Sequence, residues 1–252
     1  LGIILKRIII RTVKLAVEKD KFSSKEGRLK RERTLIRIFS GVVNVIIWLM
    51  AVMMLLQELN IKIGPLLAGA GIVGVAVGFG GQYLIRDLIA GFFIIFENQY
   101  RIGDIVKFDN VSGMVEDITL RTTILRDIDG IVHHIPNGEI KIVSNMSKGF
   151  ARVNINIGVS YNADIDKVIN VINQTGQVLA EDEVWKQFII KPIQFLRIDE
   201  FADSAVIIKV LGETVPHKQW EVGREFRKRI KAAFDKEGIS IPFPQIVIHK
   251  AD

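Results

Sequence analysis

Two long stretches without a charged side chain set the strongest limit on how this chain can fold. The first runs from Ile38 to Leu56, nineteen residues, and the second from Ile63 to Ile85, twenty-three residues. As a helix the first would be about 28 Å long, close to the roughly 30 Å hydrocarbon core of a bilayer. Two core helices of a large soluble protein would more often carry a charge over such lengths. The sequence therefore predicts a span at 38–57 and a second membrane helix at 63–81.

The positive charge of the chain lies beside these stretches. Residues 1–96 carry 14 Lys and Arg against 6 Asp and Glu, whereas residues 97–252 carry 20 against 22. A nucleic-acid-binding domain would spread its basic residues over the folded part, so no nucleic-acid partner is expected. The positive-inside rule instead predicts that a basic loop at 14–37 is cytoplasmic and the 57–62 turn external. Everything after Arg86 is then cytoplasmic.

Residues 1–13 are too short an apolar segment to span a bilayer, and we interpret them as the end of an earlier span. The chain is thus expected to be a multi-pass protein of the cell's inner membrane. It contains no cysteine, which excludes disulfides and thiolate sites.

The second stretch is unusually rich in small residues for a membrane anchor. Glycine costs a helix interior about 1 kcal/mol relative to alanine, so its repeated use needs a reason. In lipid, small residues let helix backbones pack directly against each other. Ala70, Gly74 and Gly78 recur every four residues, and a neighbouring face carries Ala76 and Gly80. Two such faces on one helix favour a ring of identical copies, with Val75 and Phe79 together on the remaining face.

The same stretch contains Gly69-Ala-Gly71-Ile-Val-Gly74, which satisfies the dinucleotide-binding pattern. That pattern needs a preceding strand and a βαβ unit, and Pro65 with a continued uncharged run does not supply them. Beyond the paired Gly80 and Gly81, charges appear at Arg86 and Asp87, which predicts a bent, interfacial helix over 82–96.

At this point the residues resemble a known family, the small-conductance mechanosensitive (MscS-like) channels. The similarity covers nearly the whole chain in the family's order. It is carried by AGAGIVGVAVGFGGQYLIRDLIAGFFIIFENQYRIGDIV, by Leu120-Arg-Thr-Thr123, by Ile135-Pro-Asn-Gly138 and by Gly238-Ile-Ser-Ile-Pro-Phe-Pro-Gln245.

The resemblance implies a homoheptamer that opens under membrane tension and releases ions and small osmolytes, in contact with membrane lipids. It implies a pore constriction at Val75 and Phe79, where the family usually has leucines, and charged rings at the pore exit from Arg86 and Asp87. Helix packing would use Ala70, Gly71, Gly74, Ala76 and Gly78. A hinge would use Gly80, Gly81, Gln82 and Gly91, although Tyr83 stands where the family often has glycine.

The part after the membrane region alternates strand and helix signals. Turn residues such as Gly103-Asp104 and Asp129-Gly130 punctuate 97–150 and predict a small β domain, which in the family is Sm-like. Residues 151–252 are expected to form an α+β domain of βαββαβ order. The resemblance implies that its last strand, at 244–250, contributes to a β-barrel closing the heptamer.

The sequence offers no chemistry of an enzyme. Adjacent His133 and His134 would face opposite sides of a strand, and Asp127-x-Asp129-Gly130 departs from the calcium-loop pattern. We therefore expect no catalytic residues, no metal and no cofactor. Two other functions remain open at this point. One is a substrate-selective exporter, and the other is a membrane-tethered scaffold that does not conduct.

Overall fold

The computed structural model describes residues 10–14 and 25–246, and the chain divides into two compact units, 1–80 and 81–252. In the first unit, residues 10–14 are helical, helix α1 spans Lys25–Glu58 and helix α2 spans Gly64–Gly80. Among the described residues α1 is the one helix that is long and apolar enough to cross a membrane by itself. A second crossing is possible if Gly64–Gly80 and the helix after it count as one broken span.

The predicted basic loop at 14–37 is wrong from Lys25 onward, because α1 begins there and continues through the span. Residues 25–37 consist largely of Lys, Arg, Glu and Leu, which are strong helix formers. Their charge indicates exposure to water, which a solvated helix provides as well as a loop does. The predicted earlier span falls mostly on residues 1–9, which lie outside the described residues.

Helix α2 begins and ends where its sequence favours a boundary. Pro65 occupies the first turn, where its missing N–H costs no intrahelical hydrogen bond. The helix ends at Gly80, and Gly81 is the N-cap residue of the next helix, α3, which spans Gln82–Phe96. The glycine pair thus coincides with a break between two helices.

In the second unit, α3 is followed by a five-stranded antiparallel β domain with strand order β4-β3-β2-β1-β5. Its strands are β1 Ile105–Phe108, β2 Val111–Ile118, β3 Thr122–Arg126, β4 Val132–Pro136 and β5 Ser144–Asn145, with a 3₁₀ helix at Asn137–Glu139. Its core contains Val106, Val115 and Leu125, all fully or almost fully buried, and Ile94 of α3 belongs to the same cluster. Helix α3 therefore shares one hydrophobic core with the β domain.

The rest of the second unit is an α+β domain. Its elements are β6 Ala151–Val159, α4 Ile165–Glu181, β7 Ile189–Ala202, β8 Ala205–Thr214 and α5 Gln219–Glu237, with strand order β6-β8-β7. Both helices share its hydrophobic core with the sheet, through residues such as Ile172, Ile208 and Phe226. The order βαββα matches the prediction as far as the described residues go. Residues 241–246 form no strand, and residues 247–250 of the predicted last strand lie outside the described part.

Candidate pore helix and the junction between α3 and the β domain

The glycines of α2 lie in open space within the part of the chain that the structure describes. A Cβ atom added at Gly69, Gly71, Gly74, Gly78 or Gly80 would meet no atom within 4 Å beyond the helix's own backbone. No residue of α2 is buried. Small residues in a membrane helix usually serve close packing, and within residues 10–14 and 25–246 no such packing partner is present. Whatever these residues pack against therefore lies outside the described chain.

The faces of α2 alternate between small and bulky side chains. At 100° per residue, one arc of about 100° holds only small residues from Ala68 onward, with Leu67 in the same arc near the start of the helix. A second, narrower arc of small residues lies on the far side. The first contains Ala70, Gly71, Gly74 and Gly78, and the second contains Gly69, Ala76 and Gly80. Between the two small faces lie two bulky ones, with Val75 and Phe79 on one side and Val73 and Val77 on the other.

Both bulky faces are exposed in the single chain. Val75 is 59% and Phe79 72% exposed, and Val73 and Val77 are similarly open, at 62% and 69%. The two faces therefore cannot be told apart by exposure. A helix packed between two copies of itself through its small faces would turn one bulky face inward and the other outward, so the arrangement suits a ring.

Helix α3 differs from α2 because one of its faces is buried in the chain. Asp87, Gly91 and Ile94 recur every three or four residues and are all buried. A Cβ atom at Gly91 would lie 2.0 Å from the carbonyl oxygen of Leu120 and 2.3 Å from Nδ2 of Asn137. Gly91 is therefore required for close approach of the helix to the β domain.

The prediction that Gly91 is a second bend is not supported by this structure. Helix α3 runs without interruption from Gln82 to Phe96, through Gly91. Glycine in a helix serves equally for bending and for close backbone contact, and the sequence alone does not distinguish the two. The close approach to Leu120, 29 positions away along the chain, indicates that Gly91 serves close backbone contact and not bending.

The side chain of Asp87 also makes its contacts within the second unit. Its side chain is only 7% exposed. One carboxylate oxygen accepts a hydrogen bond from the backbone N–H of Gly138 at 3.1 Å, and the other lies 3.7 Å from Nε of Arg121. The predicted ring of Asp87 charges at a pore exit is therefore wrong, because this carboxylate is turned into the junction and not toward water.

Arg86 stays half-exposed but is also paired. Its guanidinium forms an ion pair with Glu139 and lies 5.1 Å from the ring centre of Tyr83. Gly138 leaves room for this arrangement, since a Cβ atom there would lie 2.6 Å from Asp87 Oδ1 and 2.8 Å from Arg86 Nε. The two adjacent charges thus hold α3 to the 3₁₀ helix at 137–139.

A buried polar network fixes the loop that receives α3. The side chain of Asn137 is fully buried and donates from Nδ2 to the carbonyl oxygens of Thr119 and Leu120, at 2.9 and 3.0 Å. Its Oδ1 accepts from Thr123 Oγ1 at 2.8 Å, and that hydroxyl lies 2.7 Å from the Tyr100 hydroxyl. Burial raises the pKa of Tyr100, which keeps it neutral in this network. We name this set (Tyr100, Leu120, Thr123, Asn137) together with Asp87 and Gly91 the α3 junction.

Sequence reasoning missed the α3 junction. The dipeptide Asn137-Gly138 is typical of a turn, and that pattern describes the backbone but not the buried amide. The available signal was that the Leu120–Thr123 and Ile135–Gly138 motifs occur together with the helix motif in the resembled family.

Of the residues considered as metal ligands, His133 and Asp127 contact each other. His133 Nε2 lies 3.0 Å from Asp127 Oδ2, and this hydrogen bond is the main cause that lowers the pKa of Asp127. The other Asp127 oxygen accepts the N–H groups of Asp129 and Ile131 and so closes the hairpin turn. In the part of the chain that the structure describes, no three His, Asp or Glu side chains converge as metal ligands.

A helix long and apolar enough to span a membrane, followed by a helix pair broken at glycine, a β domain and an α+β domain, indicates the class of membrane proteins with a large additional folded part. Three family descriptions match the chain in order. They are the transmembrane helices 2/3 of the mechanosensitive ion channel at residues 41–82, its β-domain at 83–148 and the MscS C-terminal domain at 153–241. The chain belongs to the MscS family of mechanosensitive ion channels.

Individual proteins to which the chain is similar are also mechanosensitive channels. The small-conductance mechanosensitive channel of Caldanaerobacter subterraneus subsp. tengcongensis is 38% identical over 215 residues, which cover 85% of this chain and 75% of that protein. The moderate conductance mechanosensitive channel YbiO of Escherichia coli is 35% identical over 212 residues, which cover 84% of this chain and 29% of that longer protein.

Solved structures agree on the fold. The crystal structure of Helicobacter pylori MscS in the closed state matches with a TM-score of 0.72 at 21% identity, covering 100% of this chain and 97% of that one. The cryo-EM structure of Arabidopsis thaliana MSL1 matches with a TM-score of 0.64 at 15% identity, covering 96% and 88%. The predicted family and the fold class of membrane helices, β domain and α+β domain are confirmed. The family is one of channels and not of enzymes, as expected.

Proposed function

We propose that this chain assembles into a homoheptamer in which seven copies of α2 line a tension-gated pore. The observation that carries the proposal is the empty space around the α2 glycines, where an added Cβ atom would meet no other described part of the chain within 4 Å. Packing between copies would use Ala70, Gly71, Gly74, Ala76 and Gly78, and it would give the small residues the close contact for which they are suited.

In this assembly Val75 and Phe79 form two apolar rings, one helical turn apart, that constrict the pore. A narrow apolar passage does not hold a continuous column of water, so the rings close the pore by dewetting. Phenylalanine is bulkier than the leucine usual in the family. The lower ring is therefore expected to close more tightly than the upper one.

Membrane tension favours whichever state occupies more area in the plane of the bilayer. Smooth small-residue faces let neighbouring α2 helices slide, so the ring can widen with little steric cost. The break at Gly80, Gly81 and Gln82 separates α2 from α3, and α3 is held by the α3 junction. We infer that α2 moves about this break while α3 stays with the β domain, so the hinge involves these three residues and not Gly91.

The remaining features of the proposal concern where the protein lies and what passes through it. The chain lies in the inner membrane with the second unit in the cytoplasm, where seven copies enclose a vestibule with side portals. Residues 244–250 of each copy would pair as strands in the heptamer and close the vestibule as a β-barrel. Ions and small osmolytes pass through it on hypo-osmotic shock, and lipids surround the outer face of the helices.

Two experiments test this function. Native mass measurement of the detergent-solubilised protein should give seven copies. Patches of liposomes containing the purified protein should then show current steps when suction is applied. A selective exporter would move one class of solute without suction, and a scaffold would pass no current at any suction. Material that is monomeric and impermeable would overturn the proposal.

A further inference from the structure

The N-terminal half of α1 carries one row of cations that the channel function does not use. At 100° per residue, Lys30, Arg33 and Arg37 fall within an arc of about 60°. All three side chains are exposed. None of them has a carboxylate partner among the residues that the structure describes, whereas Glu32 of the same helix pairs with Lys14. We name this row the cationic stripe.

The opposite face of the same helix segment is already occupied. Its half-buried residues are Arg28, Glu32, Leu35 and Ile36, which lie roughly opposite the cationic stripe. Glu32 lies 4.0 Å from Nζ of Lys14, in the helical segment 10–14, where Val13 is buried. The helix thus packs within the chain on one side and leaves its cationic side free.

The position of the stripe along the helix indicates its partner. Arg37 directly precedes the uncharged run that begins at Ile38, so its guanidinium lies at the level of the lipid headgroups. Along the helix axis, Arg33 lies about 7.5 Å and Lys30 about 12 Å from Ile38. A basic segment that continues directly from a span meets the headgroup region of the same membrane before any other surface.

We propose that the cationic stripe binds anionic phospholipid headgroups in the leaflet that contains the N-terminal half of α1. Each Lys or Arg close to a charged membrane surface strengthens attraction by about fivefold, and the effect decays over a Debye length of roughly 8 Å. Arg37 therefore contributes most, Arg33 less and Lys30 least. Glu26 lies on the same side one turn beyond Lys30, and it limits the stripe at its outer end.

The test measures lipid retention and does not depend on conduction. The protein, purified in neutral detergent with all 252 residues, is mixed with phosphatidylglycerol or with phosphatidylcholine, and bound lipids are counted by native mass spectrometry. Phosphatidylglycerol should be retained in preference. Arg37→Gln should weaken that retention by about fivefold, with smaller losses for Arg33→Gln and Lys30→Gln. Raising the salt concentration should reduce the preference, and free inorganic phosphate should not replace the lipid.

The matched control removes three exposed cations elsewhere. Arg224, Arg227 and Lys228 of α5 are exposed, so their combined change to Gln alters the net charge as much as the triple change of the stripe. Phosphatidylglycerol retention should be unchanged in this control. Equal losses in both triple variants would show that only net charge matters, and the proposal would fail. Retention unchanged by the stripe variant would also overturn it, whereas a protein that binds the lipid but passes no current would contradict only the channel function.

A second comparison separates lipid from a protein partner. In liposome patches, phosphatidylglycerol should shift the suction threshold of the unmodified chain relative to phosphatidylcholine, and the triple stripe variant should lose that shift. If the stripe instead binds an acidic surface of a neighbouring copy, the variant would change the threshold equally in both lipids, and that result would overturn the proposal.

Discussion

Helices α2 and α3 use glycine in opposite ways, although only Gly81 separates them. Every glycine within α2 from Gly69 to Gly80 is open to space in the single chain, whereas Gly91 of α3 is in contact with the backbone of Leu120. This difference shows where each helix has its packing partner. The partner of α3 is the β domain of its own chain, whereas the partner of α2 lies outside residues 10–14 and 25–246, and we propose that it is a second copy.

The sharpest test of this comparison is a methyl group added to each helix. Gly91→Ala would place its Cβ 2.0 Å from the Leu120 carbonyl oxygen, so backbone has to move. We expect a loss of about 1–3 kcal/mol or more in the free energy of unfolding. The thermal midpoint of the detergent-solubilised protein should fall clearly. Gly64→Ala at the start of α2 is the control, because its Cβ would meet no atom within 4 Å and we assign Gly64 no contact between copies. An equal fall in both variants would contradict the comparison.

A second test distinguishes the two bulky faces of α2. Phe79→Ser puts a hydroxyl where we expect the apolar constriction, so the closed pore should hydrate more readily. In liposome patches the suction threshold should fall, or the channel should leak at rest. Val77→Ser is the matched control on the opposite face, and it should leave the threshold nearly unchanged. A larger effect from Val77→Ser would assign the pore to the other face.

A smaller effect is expected from removing the carboxylate that anchors α3. In the native chain the backbone N–H of Gly138 donates a hydrogen bond to the Asp87 carboxylate at 3.1 Å. Asp87→Ala removes this acceptor. A fully buried donor left unsatisfied costs about 1–3 kcal/mol, so the half-buried Gly138 N–H should lower the thermal midpoint by an amount toward the lower end of that range. Asp87→Asn keeps an oxygen acceptor and should lose less. If the two variants behaved alike, the hydrogen bond to Gly138 would not be the important contact.

The smallest expected effect concerns an ion-paired carboxylate of the second unit, Asp199. Hydrogen bonds from Lys209 and then from Arg197 lower the pKa of Asp199. A carboxylate whose pKa is lowered by folding adds stability above its unfolded value, near pH 4, and loses it as pH falls through the folded value. The free energy of unfolding, measured as a function of pH, should therefore decline below about pH 4. Asp199→Asn should make that decline smaller. Asp203→Asn, an exposed neighbour, should leave the decline as it is.

Much of the helical layout follows from the sequence, because apolar length and glycine pairs act locally. The uncharged run predicts the span within α1, and Gly80-Gly81 predicts the break before α3. The extension of α1 back to Lys25 was missed, since charge patterns report exposure and not backbone conformation. Helix propensity, summed over that segment, contained the missing information.

The junction residues were harder to predict because their partners are distant in sequence. Asp87 and Arg86 look like charges that end an apolar run, which is true locally. Their contacts, Gly138 and Glu139, lie about fifty positions later. Only a folded β domain brings these positions together. The copies that would cover α2 lie outside a single chain altogether, so the pore-lining role of Val75 and Phe79 remains a prediction.

The absence of cysteine from the sequence allows one measurement to test that role directly. Single cysteines are introduced as Val75→Cys, Phe79→Cys, Val73→Cys and Val77→Cys, and a charged, water-soluble thiol reagent is applied to open channels in liposome patches. We predict that modification changes the current at positions 75 and 79 and leaves it unchanged at 73 and 77. Current that responds at 73 and 77 but not at 75 and 79 would contradict the proposed pore.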